Sequence, residues 1–120
     1  MGRTEEARTA LRRALKVSRE VGNRIEIAMT LMSLARVDSK HVEAFSWLDE
    51  ARAIAEELEL DETRLSVLIA RVNVLLDRNE QGAARTLWQT RLPDFDPGAV
   101  SRGSELYEAL ENVESRLSLE

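Results

Sequence analysis

His41 is the only histidine in the chain and there is no cysteine, so metal and nucleophile chemistry has few places to reside. His41-Val42-Glu43 has the H-x-E spacing at which a glutamate shuttles protons for a zinc-bound water, but that signature also requires a P-C-x-x-C segment to complete the ligand set. A zinc site with two protein ligands is not stable, so His41 reads as a residue at the N-terminal end of a helix. Asp94, Asp96 and Glu105 fall at positions one, three and twelve of a calcium loop, yet position six is Ala99 and position nine Arg102, where the loop needs a glycine and an oxygen ligand. The segment reads as a capped turn. The carboxylate pairs Glu5 and Glu6, Glu56 and Glu57, and Glu108 and Glu111 lie outside any apolar run that would raise a carboxyl pKa for acid–base work. No phosphate-cradling glycine loop or nucleophile elbow occurs. Trp47 and Trp88 follow helical apolar stripes and read as packing residues rather than ligand-stacking rings. The expectation is a non-catalytic protein with no metal and no cofactor.

These side chains are distributed over 120 residues, the length of one domain, which buries roughly two-thirds of the surface its unfolded chain exposes. With 43% hydrophobic and 32% charged residues and only two prolines, the composition is that of an ordinary helical protein rather than a disordered one. No apolar run approaches the roughly 18 residues that span a bilayer, and the N-terminus has no basic-then-apolar secretion signal, so a cytoplasmic location without a membrane partner is expected. Charge is unevenly spread. Seven basic residues against three acidic ones give Met1–Arg24 a balance of +4, leaving −9 for the rest of a chain whose net charge is −5. Arg8, Arg12 and Arg19 share one side of a helix, which raises a nucleic-acid contact as a possibility; Glu and Arg pairs on a solvated face are the favoured reading.

Apolar spacing predicts six helices and no strand. The first runs from Glu5 to Val21 and ends at Gly22; the second follows an Asn23–Glu26 capping box to about Val37. The third spans about His41 to Leu58. The fourth is capped by Asp61 and contains LSVLIARVNVLL from Leu65 to Leu76, apolar on most of its circumference and therefore central. The fifth runs from Glu80 to Arg91 before Pro93, and the sixth begins with Asp96 as cap and Pro97 at the first helical position, its regular part delayed to about Ser104.

The pattern repeats. Shifted by 37, Ala7, Leu11 and Ala14 land on Ala44, Leu48 and Ala51, with a weaker third copy at Ala83, Leu87 and Thr90. Shifted by 40, Ile25, Ile27, Ala28, Met29, Met32, Leu34 and Ala35 meet Leu65, Val67, Leu68, Ile69, Val72, Val74 and Leu75. Two helices per period predict an all-α, right-handed α-solenoid of three antiparallel helix hairpins, with units at about 2–37, 39–78 and 80–118 and the second, fourth and sixth helices inside. The run Gly2, Glu6, Ala7, Leu11, Ala14 and Leu15 resembles the second helix of a tetratricopeptide repeat, and Ala44, Leu48 and Ala51 match it again. Leu31, Leu34 and Ala35 fit the first helix of a repeat, whereas Ala70, Asn73 and Val74 fit it poorly. Leucines at the family's aromatic positions, no repeat-ending proline and a period above about 34 make the chain similar to the longer-repeat arrays of bacterial signal-responsive transcription regulators.

A repeat module of this kind is expected to dock a protein or peptide segment on its concave face, as part of a larger regulatory protein or a self-associating scaffold. Glu26, Thr30, Ser33, Ser66, Asn73 and Asp77 are the expected docking residues, being the polar strips left when the inner helices pack. The alternative is a domain that senses a small molecule or peptide in a bacterial transcription regulator. The resemblance begins with what the family uses as a second helix, so an edge at Ala10, Leu15 and Val17 is expected to be completed by a longer array or by a homodimer.

Overall fold

A computed structural model describes residues 2–96 and 100–118. Among them are six α-helices and no strand: α1 Gly2–Val21, α2 Arg24–Val37, α3 Ala44–Glu57, α4 Asp61–Asp77, α5 Gln81–Arg91 and α6 Glu105–Ser118, with a 3₁₀ turn at Leu92–Asp94. None of the helices is long and apolar enough to cross a membrane.

The helix ends follow local chemistry. Asn23 accepts a hydrogen bond from the Glu26 N–H at 3.1 Å, starting α2 as its capping pattern predicts. α1, α3 and α4 close in the same way, each on a residue with positive φ: Gly22 (83°), Glu59 (55°) and Asn79 (62°). The N–H of the residue after each returns to a carbonyl five positions back, Asn23 to Ser18, Leu60 to Ala55 and Glu80 to Leu75, at 2.9 to 3.0 Å. This is the Schellman closure, in which the left-handed residue reverses the chain while the last carbonyls stay bonded. Ser104 starts α6 by accepting the Tyr107 N–H at 3.1 Å. Pro97, expected at the first helical position, lies outside the described residues.

Several boundaries differ from expectation: α1 begins at Gly2 rather than Glu5, and α6 begins at Glu105, so Asp96 is not its cap. His41 is not in α3: its Nδ1 accepts the Glu43 N–H at 3.0 Å and its ring stacks on Trp47 with centroids 4.9 Å apart, a turn that delays the helix to Ala44. Asp61 does not cap α4; Leu60 holds that position, and Asp61 sits in the first turn beside Arg64. A carboxylate there still offsets the positive helix end.

α4 is the shared wall. It packs against α2, α3, α5 and α6, while the α1 backbone lies close to α2 alone and α1 reaches α3 through the Arg19–Glu50 side-chain pair. Val67 and Val74, seven residues apart and so on one side of the helix, join Ile27, Ala28, Leu31, Ala35, Ala44, Leu48, Ala51 and Ile54 in one core cluster. Leu65, Leu68, Ile69, Val72 and Leu76 face the other way, into a second cluster with Ala84, Trp88, Val100, Leu110, Val113 and Leu117. An apolar circumference is what a helix needs to serve two cores at once. Trp88 is buried in the second cluster, and Trp47 packs on the first. α2 is less enclosed than its composition suggests, because Ile25 and Met29 are exposed.

Arginines tie the helices across the sequence. Arg78, at the end of α4, donates to the carbonyls of Ser39 (2.9 Å) and His41 (2.7 Å) and lies over the Phe45 ring, fixing the turn between α2 and α3. Arg85 donates to the Leu117 carbonyl at 2.9 Å, pinning α5 to the last turn of α6.

Candidate functional site: a groove along α2, α4 and α6

Three alternate helices, α2, α4 and α6, line a groove of about 440 Å³. Its apolar lining is Met29 and Met32 from α2, Ile69, Ala70 and Val74 from α4, and Leu106 and Ala109 from α6. Arg36, Glu62 and Glu105 are exposed polar residues of the lining, and Ser33, Thr63, Ser66, Asn73 and Asp77 are half-buried. Unbranched methionines adapt their shape to an occupant at low cost, so the α2 wall suits a ligand held largely by apolar contact.

Ser33, Ser66, Asn73 and Asp77, all predicted from the polar strips, are brought together in this groove. Two of them are already engaged. Arg116 of α6 donates to the Asn73 side-chain oxygen at 2.7 Å and to Asp77 at 3.0 Å, so this end of the groove is a clamp between α4 and α6. The other two predicted residues lie elsewhere. Thr30 is buried at 7% exposure and has no surface to offer a partner, a correction to its reading as part of an open polar strip. Glu26 is exposed but does not line the groove. Thr30 went inward because α2 is covered by α1 as well as by α3 and α4, which the spacing within α2 does not encode.

Met29, Met32, Arg36, Glu62, Leu106 and Ala109 are lining residues that the polar strips do not include. A signal for part of this set is present in the chain: Met29, Ile69 and Ala109 recur at intervals of 40, and so do Ser66 and Leu106. The 40-residue register between α2 and α4, carried one step further, reaches α6.

No family model, curated protein or solved structure matches this chain. The groove's chemistry therefore rests on its own residues.

The remaining candidates are accounted for by internal pairing. Arg8 lies 3.0 Å from Asp38, an ion contact without hydrogen-bond alignment, and Arg19 makes a two-point contact with Glu50 at 2.7 and 2.9 Å. That hydrogen bond is the main cause holding the Glu50 carboxyl below its ordinary range and the Arg19 guanidinium above its own, with burial opposing and mutual attraction adding to it. Two arginines of the Arg8, Arg12 and Arg19 face thus already hold carboxylates of this chain. Between α3, α4 and α5, Arg52, Arg64, Arg71 and Arg91 surround a small recess of about 50 Å³, and each has a carboxylate in reach: Glu56, Asp61, Asp49 and Asp94. Among the described residues, no three His, Asp or Glu side chains converge as a metal site.

Proposed function

We propose that this chain is a non-catalytic, tetratricopeptide-like module, a stack of helical hairpins, that docks a peptide segment of a partner protein in the groove along α2, α4 and α6. The observation that carries this reading is the repeat of Met29, Ile69 and Ala109 at one register on three successive alternate helices, all opening onto the same groove. A surface built from equivalent positions of stacked units is elongated by construction, and it suits an extended or helical segment that lays side chains down at intervals. The exposed Met29, Arg36, Glu62 and Glu105 at the lining leave the groove open to solvent, which favours a chain segment over an enclosed small molecule. Such a module acts within a larger regulatory protein or scaffold.

Selection from a displayed peptide library against the folded chain tests this directly. Peptides that bind wild type are expected to lose at least tenfold in affinity to Ser66→Arg and to Ala109→Arg, which place a long charged side chain into the middle and the α6 wall of the groove. Asn73→Arg is a poorer probe because it sets two guanidinium groups against each other at Arg116. Failure to select any wild-type binder, or binders indifferent to both substitutions, would discard the reading.

A further inference from the structure

α1 carries an apolar stripe that nothing else in the described chain covers. Ala10, Ala14, Val17 and Val21 follow steps of four, three and four along one line of the helix. All four are exposed, Val17 at 56% and Val21 at 75%. They are not the residues that hold α1 to the fold. Ser18 is buried, Ala7 and Leu11 are half-buried, and Leu15 packs on the first core cluster; so Leu15, expected with Ala10 and Val17 at an open edge, faces inward instead.

The charges beside the stripe divide by side. Arg8 and Arg19, beyond the inner face, are held by Asp38 and Glu50. On the outer flank Glu6, Arg13 and Glu20 recur at seven-residue intervals, are exposed, and have no ion-pair partner among the described residues.

We propose that this face is a self-association site whose occupant is α1 of a second copy, packed antiparallel across a two-fold axis. The order of side-chain sizes selects this occupant. The small residues Ala10 and Ala14 come first and the larger Val17 and Val21 second, so a two-fold axis between Leu15 and Lys16 sets Val17 against Ala14 of the second copy and Val21 against Ala10. Each bulge meets a recess, and by symmetry each contact is made twice. The same register brings Arg13 opposite Glu20 of the second copy, offset by two residues or about 3 Å along the axis, well within the reach of both side chains. A parallel pairing would instead set valine on valine and carry the Arg13–Glu20 flanks of the two copies to opposite sides of the seam, where they cannot pair. Sequence complementarity to itself in one orientation only is the property expected of an isologous helix pair.

Sedimentation equilibrium of the full chain over a hundredfold concentration range tests the site. Wild type is expected to be a dimer that survives 1 M salt in weakened form, because apolar burial persists when exposed ion pairs are screened. Val17→Glu should weaken dimerisation at least tenfold while leaving the helical circular dichroism and melting temperature of the monomer unchanged, since Val17 is exposed within one chain. Arg13→Glu and Glu20→Arg should each weaken the homodimer. Mixed together they should form a heterodimer tighter than either homodimer, and the double variant R13E/E20R should recover wild-type association. A wild-type chain that stays monomeric throughout overturns the proposal. So does a dimer indifferent to Val17→Glu, or one that neither the mixture nor the double variant restores.

Discussion

The two core clusters that share α4 are built from different materials. The cluster between α2, α3 and the Val67–Val74 edge contains four alanines, Ala28, Ala35, Ala44 and Ala51, all at 1% exposure or less. The cluster between the broad face of α4, α5 and α6 is filled by leucines, isoleucine, valines and Trp88, with Ala84 as its one alanine. Small residues bring helix axes close and leave no slack, whereas large ones fill a wider space and leave a large hole when removed. The first region should therefore fail by overpacking and the second by truncation.

That contrast is sharpest at Trp88. Trp88→Ala is expected to cost about 3–5 kcal/mol in a urea titration, the usual range for an aromatic removed from a core. A loss below about 1 kcal/mol would mean that the α4–α5–α6 cluster collapses around the gap. The converse change, Ala51→Leu, is expected to cost about 1–3 kcal/mol, because Ala51 is fully buried in the alanine-rich cluster and the added atoms have nowhere to go. A neutral result would erase the difference between the clusters. Since both are built on one helix, the two variants should each shift a single cooperative transition; separate transitions by circular dichroism and tryptophan fluorescence would show that α4 does not couple them.

The three Schellman closures give a smaller test. Glu59, at φ 55°, pays for a left-handed backbone that Gly22 adopts without cost; left-handed geometry costs a side-chain-bearing residue about 1–2 kcal/mol. Glu59→Gly is expected to stabilise the chain by up to about 1 kcal/mol, part of the relief being offset by the greater freedom of glycine in the unfolded chain. A destabilised variant would point to an unseen role for the Glu59 side chain.

The smallest expected effect is at the Arg19–Glu50 pair that ties α1 to α3. The Glu50 carboxyl titrates below its ordinary value near 4.5 because Arg19 donates to it. The pair's contribution is therefore complete above about pH 4.5 and is lost as pH falls through the lowered value. Both side chains are more than a third exposed, so water screens them and the contribution at neutral pH is about 0.2–1 kcal/mol. The stability difference between wild type and Arg19→Ala should accordingly be small at pH 7 and shrink further as acidification protonates Glu50. A difference that grows on acidification would have the wrong sign for this pair.

Most of the local structure was legible in the residues alone. The Asn23 cap, the Gly22 stop and the start of α6 at Ser104 are set by groups within one or two turns of each other, so nearby spacing is sufficient to read them. The central place of α4 was legible too, because a helix apolar around most of its circumference has to be covered on several sides. The alternation of helices at about 40 residues even contained the register of Met29, Ile69 and Ala109.

What only the tertiary structure decided is how each helix is rotated against its neighbours and which distant groups then meet. Thr30 is buried while Met29 beside it is exposed, Leu15 turns inward while Val17 turns out, and the polar strip at Asn73 and Asp77 is taken by Arg116 some 40 residues away. Periodicity marks a face but not what lies opposite it. That choice belongs to the packing of whole helices, where burying one apolar face well overrides the preference of any single side chain for water.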